Sequence, residues 1–565
     1  MLKGQPKGLF VLALANMGER FGYYTMLAIF VLYMQAKFGF TSDATATTFG
    51  IFLSMVYFLP LFGGLLADKV LGYGKTIALG IIIMFAGYFC LAIPTGVGTG
   101  AQVAMFGALA LIALGTGCFK GNLQALVGNL YDDPKYSAKR DIAFSIFYMC
   151  INIGAFFAPS AAEGVSNYFL EKDGFTYNAD IPSLAHQLQE GTISTEAMAK
   201  FTEMAVQQGY TGGADDPAAL ASFGERYIDS LSQSYNYGFG VACLSLIVSM
   251  LIFVGFRKYY KAADKTEKEK QAERDPNAVE LTSQQVKDRL VALGLVFAVV
   301  IFFWMSFHQN GLTMTFFARD YTQTVVSGFD RFGFSLLTLL PFAVCFYGVL
   351  SIFQGTTARA KGIGAALAVI GGGLACWAYR SFPAEMSITP QIFQQFNAYF
   401  IVLFTPITVA FFSWLNKKGK EPSAPRKIGI GMVIAALGFV LLAVASVGLP
   451  TPNALEFTGG LTEAGRVSPN WLIGTYFVLT IAELFLSPMG ISFVSKVAPP
   501  KYKGLAQGGW LAATAVGNYL VAIIGYLWGE MPLWILWGIL VACCAVSAIF
   551  LFSVMKKLER TTQGA

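Results

Sequence analysis

Five ionisable side chains lie inside stretches that are otherwise apolar: Glu19, Arg20, Lys120, His308 and Glu483. A charge at the middle of a lipid layer is expensive unless it faces water or a partner, so each of these positions asks for a function. In "NMGERFGYYTM", residues 16–26, Asn16, Glu19/Arg20 and Tyr23 recur at i, i+3/i+4 and i+7, the spacing of one helical face. Thr116, Lys120 and Gln124 repeat that spacing further on, as do Tyr476, Thr480, Glu483 and Ser487. Polar stripes on several helices, turned toward a shared space, describe a water-filled cavity with fixed charges of both signs. In this reading the Glu19–Arg20 pair faces the wet cavity. The structural alternative is a buried network, Glu19–Arg20–Lys120, that only ties helices together. Its stoichiometry argues against it, because two cations meet one carboxylate.

The elements that must position these residues are membrane helices. Of the 565 residues, 55% are hydrophobic and 13% charged, well below the roughly 25% charge of soluble domains. With about 20 apolar residues needed per crossing, the apolar runs predict fourteen spans, near 9–34, 44–66, 76–94, 102–130, 141–163, 235–256, 289–317, 331–353, 362–379, 392–415, 428–449, 471–494, 505–527 and 533–554. An even number returns both termini to one side. If that side is cytoplasmic, 29 of the 39 Lys and Arg residues fall inside, eight outside, and only Arg20 and Lys120 remain in the membrane. The positive-inside rule therefore places both termini in the cytoplasm. The net charge of +6 is accounted for at the membrane surface, and no nucleic-acid partner is indicated.

Two polar segments interrupt the spans. Residues 164–233 form an outside insertion with short amphipathic stretches, read as a helical cap or ordered loop, with a partner-docking element as the alternative. Residues 259–287, charged at both signs, read as a solvated linker. The domains follow: a six-helix bundle over 1–258, the linker 259–287, and a second bundle over 288–565 that includes an extra hairpin at about 331–380. All eight cysteines lie in apolar runs, so neither a disulfide framework nor a zinc site is indicated. The chain has no Walker-type phosphate loop, no H-E-x-x-H and no nucleophile–base pair, which argues against an enzyme or an ATP-driven pump.

Several stretches together carry a family resemblance. "ERFGYY" (19–24), "GGLLADKVLGYGKT" (63–76), "GTGCFKGNLQALVGNLY" (115–131), "FYMCINIGAFFAP" (147–159), "FWMSFHQNG" (303–311), "GKEPSAPRK" (419–427), "TIAELFLSPMGISFVSKVAPP" (480–500) and "GGWLAATAVGN" (508–518) are similar to the signatures of the proton-dependent oligopeptide transporter family of the major facilitator superfamily. The resemblance implies an all-α integral membrane protein with the major facilitator fold. Two six-helix bundles would rock about a central site, and the extra pair of spans would be a lateral hairpin, fourteen transmembrane helices in all. It implies a proton-coupled symporter of di- and tripeptides in a bacterial cytoplasmic membrane, a monomer surrounded by lipid, without cofactor and driven by a proton gradient.

The resemblance also implies residue roles. A peptide is a zwitterion, so its site needs a cation at one end and an anion at the other. Arg20 and Lys120, with Asn152 as a neutral donor, resemble the carboxylate end. Glu483 resembles the ammonium end, with Ser487 one turn further on the same stripe. Asn397 resembles the residue that bonds the peptide backbone, and Tyr23, Tyr24, Tyr57, Trp304 and Trp510 would line side-chain pockets. The family's E-x-x-E-R reads "NMGER" here, so Asn16 stands where a first glutamate is usual. Leu27 and His308 replace an Arg and an acid understood to form an outer gate. Proton handling then falls to Glu19, Lys120, His308 and Glu483. A carrier of another small solute, such as nitrate, is the main alternative, and a sensor or scaffold without transport is a third.

Overall fold

The computed structural model describes residues 4–133, 135–212, 216–264, 282–499 and 503–563. The chain is a multi-pass membrane protein. Thirteen helical segments are long and apolar enough to cross a membrane. A further helix, α1 (Lys7–Phe38), has 32 residues and spans about 48 Å at 1.5 Å per residue. Asn16, Glu19, Arg20, Tyr23 and Tyr24 dilute its apolar character, so it falls below the apolarity of those thirteen.

The first half comprises α1, α2 (Ser42–Phe58) continued by α3 (Pro60–Leu66), α4 (Tyr73–Ala92), α5 (Thr99–Asn129), α6 (Arg140–Lys172) and α9 (Pro217–Gly255). Two short helices, α7 (Ile181–Glu190) and α8 (Thr195–Gln207), stand between α6 and α9. The second half comprises α10 (Ser283–Phe307) with α11 (Thr313–Asp320), α14 (Gln395–Lys417), α15 (Ala424–Ala445), α17 (Pro469–Val497), α18 (Lys503–Tyr526) and α19 (Leu533–Ser553). The extra hairpin is α12 (Leu336–Gln354) and α13 (Ala358–Ser381). A small helix, α16 (Pro452–Thr458), precedes α17, and α20 (Met555–Gln563) ends the described chain. Strands Val325–Ser327 and Glu385–Ser387 pair antiparallel and tie the two ends of the hairpin together.

Local sequence explains the helix ends. Gly39 adopts φ 63° and closes α1, a conformation that suits glycine. Thr282 and Gln285 form a capping box at α10, and Ser468 caps α17 ahead of Pro469. The halves meet along two helix pairs, α2 with α18 and α6 with α14. Gly50 and Gly525 allow the first approach: a Cβ on Gly50 would lie 3.1 Å from Ala522 Cβ, and one on Gly525 would lie 2.3 Å from Ala46 Cβ.

The structure adds detail to three expectations. The helices flanking the 164–233 segment run into it, α6 as far as Lys172 and α9 from Pro217. These extensions bury Tyr227, Phe223 and Leu220 against the insertion helices, so the helix continues past the membrane on its own apolar face. The linker is docked at its start: Asp264 accepts from Gly74 N at 2.9 Å, and Asn129 donates to Ala263 O at 2.9 Å. Residues 265–281 of the expected linker lie outside the described residues. The span expected at 289–317 is one continuous crossing, Ser283–Asp320, interrupted by a 3₁₀ turn over His308–Gly311 before α11.

Candidate functional site

On α1, Arg20 donates from Nε to Glu19 Oε2 at 2.5 Å and from Nη2 to Glu19 Oε1 at 2.6 Å. Glu19 is 0% exposed and Arg20 is 4% exposed. Each carboxylate oxygen accepts one bond from Arg20, and because Glu19 is fully buried, the expectation that the pair faces a wet cavity does not hold for Glu19. Helical spacing assigns a face, but adjacent side chains of opposite charge can fold onto each other, and in a low-dielectric interior that contact wins. Removing one partner of such a buried pair costs about 3–5 kcal/mol. The guanidinium also lies 4.7 Å from the Tyr23 ring centre. Among the described residues, two buried polar atoms nearby, Asn16 Nδ2 and Tyr23 Oη, have no hydrogen-bond partner.

Lys120 comes from α5 and is half-buried. Its Nζ lies 3.4 Å from the Tyr57 ring centre, a cation–π contact worth ~2 kcal/mol when desolvated. Among the described residues it has neither a carboxylate nor a hydrogen-bond partner. The stripe expected around it does not form. Thr116 turns toward α4, with its hydroxyl on Ile112 O at 2.8 Å and Met84 Sδ at 3.3 Å, and Gln124 is exposed. A β-branched hydroxyl satisfies itself on its own helix more cheaply than by facing a cavity.

The other pole is Glu483, near the middle of α17 and 8% exposed. It accepts from Asn397 Nδ2 of α14 at 2.9 Å and from Tyr148 Oη of α6 at 3.3 Å. Asn397 also donates to Thr480 Oγ1 at 3.1 Å. Asn152 commits one of its two amide hydrogens to Tyr148 O, four residues back at 2.9 Å, and keeps the other as a donor. Tyr148 escaped the sequence reading, although its i, i+4 relation to Asn152 puts it on the same face. Its bond to Glu483 joins the first half to the second. One turn beyond Glu483, Ser487 Oγ is buried without a partner.

His308 sits where α10 breaks. Its Nδ1 is 2.5 Å from Asn518 Oδ1, while Asn518 Nδ2 donates to Leu53 O at 3.4 Å. The amide nitrogen being committed to a carbonyl, Asn518 Oδ1 is the acceptor and His308 Nδ1 the donor. In the neutral ring this leaves Nε2 as an acceptor. Trp304 stacks on the imidazole at 5.0 Å and 19°, and the Tyr57 ring is 6.0 Å away. Trp304 Nε1 is buried without a partner. Tyr24 makes an edge contact with Tyr23 at 5.3 Å and packs beside Phe156 and Tyr399. Trp510 is 8% exposed, 6.4 Å from the Phe297 ring, and so close to Gly490 that a Cβ there would meet its ring at 1.9 Å. Asn518 was another omission of the sequence reading, though it closes the "GGWLAATAVGN" motif.

The arrangement brings an arginine held by its own glutamate and a lysine without an acid to one side, and a carboxylate served by two donors to the other. Orphaned hydroxyl, amide and indole groups lie between and around them, and such groups are normally satisfied by water or a ligand. Among the described residues no group of three or more His, Cys, Asp or Glu could hold a metal ion.

Comparison with known proteins places this geometry in context. The sequence profile of the POT family matches residues 74–182 and 377–533. A peptide transporter of Yersinia enterocolitica is 26% identical over 577 residues, covering 99% of this chain and 96% of that protein. The dipeptide and tripeptide permease A of Escherichia coli is 24% identical, covering 93% of this chain and 85% of that protein. A crystal structure of a POT family transporter in complex with 5-aminolevulinic acid superposes with a TM-score of 0.67 at 18% identity, covering 99% of this chain and 98% of that one, which shows a shared fold.

Proposed function

We propose that this chain, which matches the POT family profile over residues 74–182 and 377–533 and resembles peptide transporters along its length, is a member of that family and imports di- and tripeptides by proton-coupled alternating access across a bacterial cytoplasmic membrane, with the termini inside and the insertion outside. It is a transporter and not an enzyme. The observation that carries the reading is the separation of charge: Arg20 and an acid-free Lys120 on α1 and α5, against Glu483 on α17. A zwitterion spans such poles, with its carboxylate toward Lys120 and Arg20 and its ammonium toward Glu483. A free anion would meet Glu483 as a repulsive neighbour. The solute in the superposed structure, 5-aminolevulinic acid, also carries an amine and a carboxylate.

Glu19 is sealed by Arg20, so it serves to hold the guanidinium, and proton handling passes to Glu483 and His308. The Tyr148–Glu483 bond crosses between the halves. Whatever compensates the charge of Glu483, a proton or a peptide ammonium, competes with that bond and thereby biases how the halves stand. This provides the differential interaction that coupling requires. The test is uptake by proteoliposomes of labelled dialanine, N-acetyl-dialanine and nitrate, with and without an inward proton gradient. We expect gradient-driven accumulation of dialanine alone, abolished in both Lys120→Ala and Glu483→Ala. Equal uptake of free and acetylated peptide would remove Glu483 from the ammonium end, and nitrate accumulation would replace the peptide reading.

A further inference from the structure

The insertion helices belong by chain to the first half, yet their outer edge grips the second. Within the first half they are firmly rooted. Ile181, Leu184, Ala185 and Phe201 are buried, Asn178 N donates to Tyr227 Oη at 2.7 Å, and His186 Nε2 lies 2.9 Å from Ala36 O at the end of α1. Across the boundary, Arg466 Nη2 meets Asp180 Oδ2 at 3.2 Å, Lys200 Nζ donates to Gly460 O at 2.8 Å, and Ser194 Oγ donates to Phe457 O at 2.6 Å. The turn after α16 permits this approach. Gly459 and Gly460 have φ of 74° and 97°, and a Cβ on Gly459 would lie 3.5 Å from Ala197 Cβ.

Below the lobe the same side is closed in layers. A cavity of about 270 Å³ lies there, lined by Gln35, Tyr177, Asp180, His186, Arg319 and Asp320. Arg319 pairs with Asp320 at 2.5 Å and donates to Gln35 Oε1, joining α11 to α1. Deeper still, a Cβ on Gly311 would lie 2.7 Å from the Phe49 ring. Opening this face by rocking the halves apart must separate every one of these contacts. The uppermost are made by α7–α8.

We propose that the α7–α8 lobe is the latch of the insertion-face gate, closed through Asp180–Arg466, Lys200–Gly460 and Ser194–Phe457 and released once in every transport cycle. The proposal rests on the transport reading above. It makes the insertion part of the machine, with Asp180, Ser194, Lys200 and Arg466 as positioning residues far from the peptide. The polar lining of the cavity fits a surface that is hydrated in one state and covered in the other.

The Cβ separation at Ala197 and Gly459 falls in the range of disulfides, which allows the latch to be locked. In Ala197→Cys/Gly459→Cys, oxidation should cross-link lobe and second half and stop dialanine uptake, and reductant should restore it. The single variants should not respond to oxidant. Undiminished uptake by the cross-linked protein overturns the latch. An unmodified protein that takes up no peptide refutes the transport reading instead. A second measurement needs no transport: with a cysteine at Ala36, beside the cavity, Ser194→Ala/Lys200→Ala should speed labelling by an impermeant thiol reagent from the insertion face. An unchanged labelling rate also overturns the proposal.

Discussion

His308 illustrates what a single residue contributes. Its Nδ1 is committed to Asn518 and its ring to Trp304, so the side chain is held in place and only Nε2 is left to exchange a proton. Histidine's ordinary pKa of about 6.5 makes it the side chain most easily switched in the physiological range. Glutamine keeps the polarity and approximate size but cannot titrate. His308→Gln is expected to retain dipeptide exchange without a gradient and to lose acid-stimulated accumulation. An unaltered pH profile in counterflow and uptake assays would assign coupling to Glu483. At this scale the sequence was legible in residue type but not in partner. It marked Glu19, Arg20, Lys120 and Glu483 as functional because charge in lipid is costly. It could not show that Glu19 would close on Arg20, that Thr116 would turn to α4, or that Tyr148 would reach Glu483 from the other half.

Among the elements, the α12–α13 hairpin is held together by missing side chains. A Cβ on Gly371 would lie 2.5 Å from Cys345 N and 2.6 Å from Pro341 O, and one on Gly364 would lie 2.7 Å from Gly348 O. Small residues let backbones approach in a solvent that offers no hydrophobic drive between helices. Gly371→Leu must push the two helices apart, and overpacking of this kind costs about 1–3 kcal/mol or more. We expect a lower unfolding temperature in detergent for Gly371→Leu and no change for Gly373→Leu, whose added Cβ would meet nothing within 4 Å. Equal melting of the two variants would show that the contact contributes nothing. Span positions were legible because a bilayer imposes its thickness on composition. The break at His308–Gly311 carried a signal too, the Asn310–Gly311 dipeptide, a common turn former. The extension of α6 and α9 beyond the membrane carried none, since their outer turns are polar on one side and depend on the insertion to cover the other.

For the whole molecule, closure of the insertion face should depend on pH through Asp180. Burial pushes its carboxyl up to about 6, reinforced by Asp320 and opposed by Arg466, Arg319 and Lys200. Released into water, it returns toward the ordinary carboxylate value near 4. The latched state therefore binds the proton more tightly, is favoured below about pH 4, and loses stability as pH rises through about 6. A fluorescent distance pair on α8 and α16 should report more open molecules at neutral pH than in acid, with the slope lost in Asp180→Asn and kept in His186→Gln. A slope that survives Asp180→Asn would place the titrating group elsewhere. The sequence by itself determined the solvent, the number of crossings, the repeated-bundle architecture implied by its motifs, and the types of residue at the site. These follow from hydropathy and from local patterns within one helix. Only the tertiary structure decided which charges pair, which hydroxyls are left orphaned, and that a segment read as a helical cap or ordered loop grips the opposite half. Those outcomes depend on distances between helices remote in sequence, such as Tyr148 to Glu483 and Asp180 to Arg466, and no periodicity along the chain encodes them.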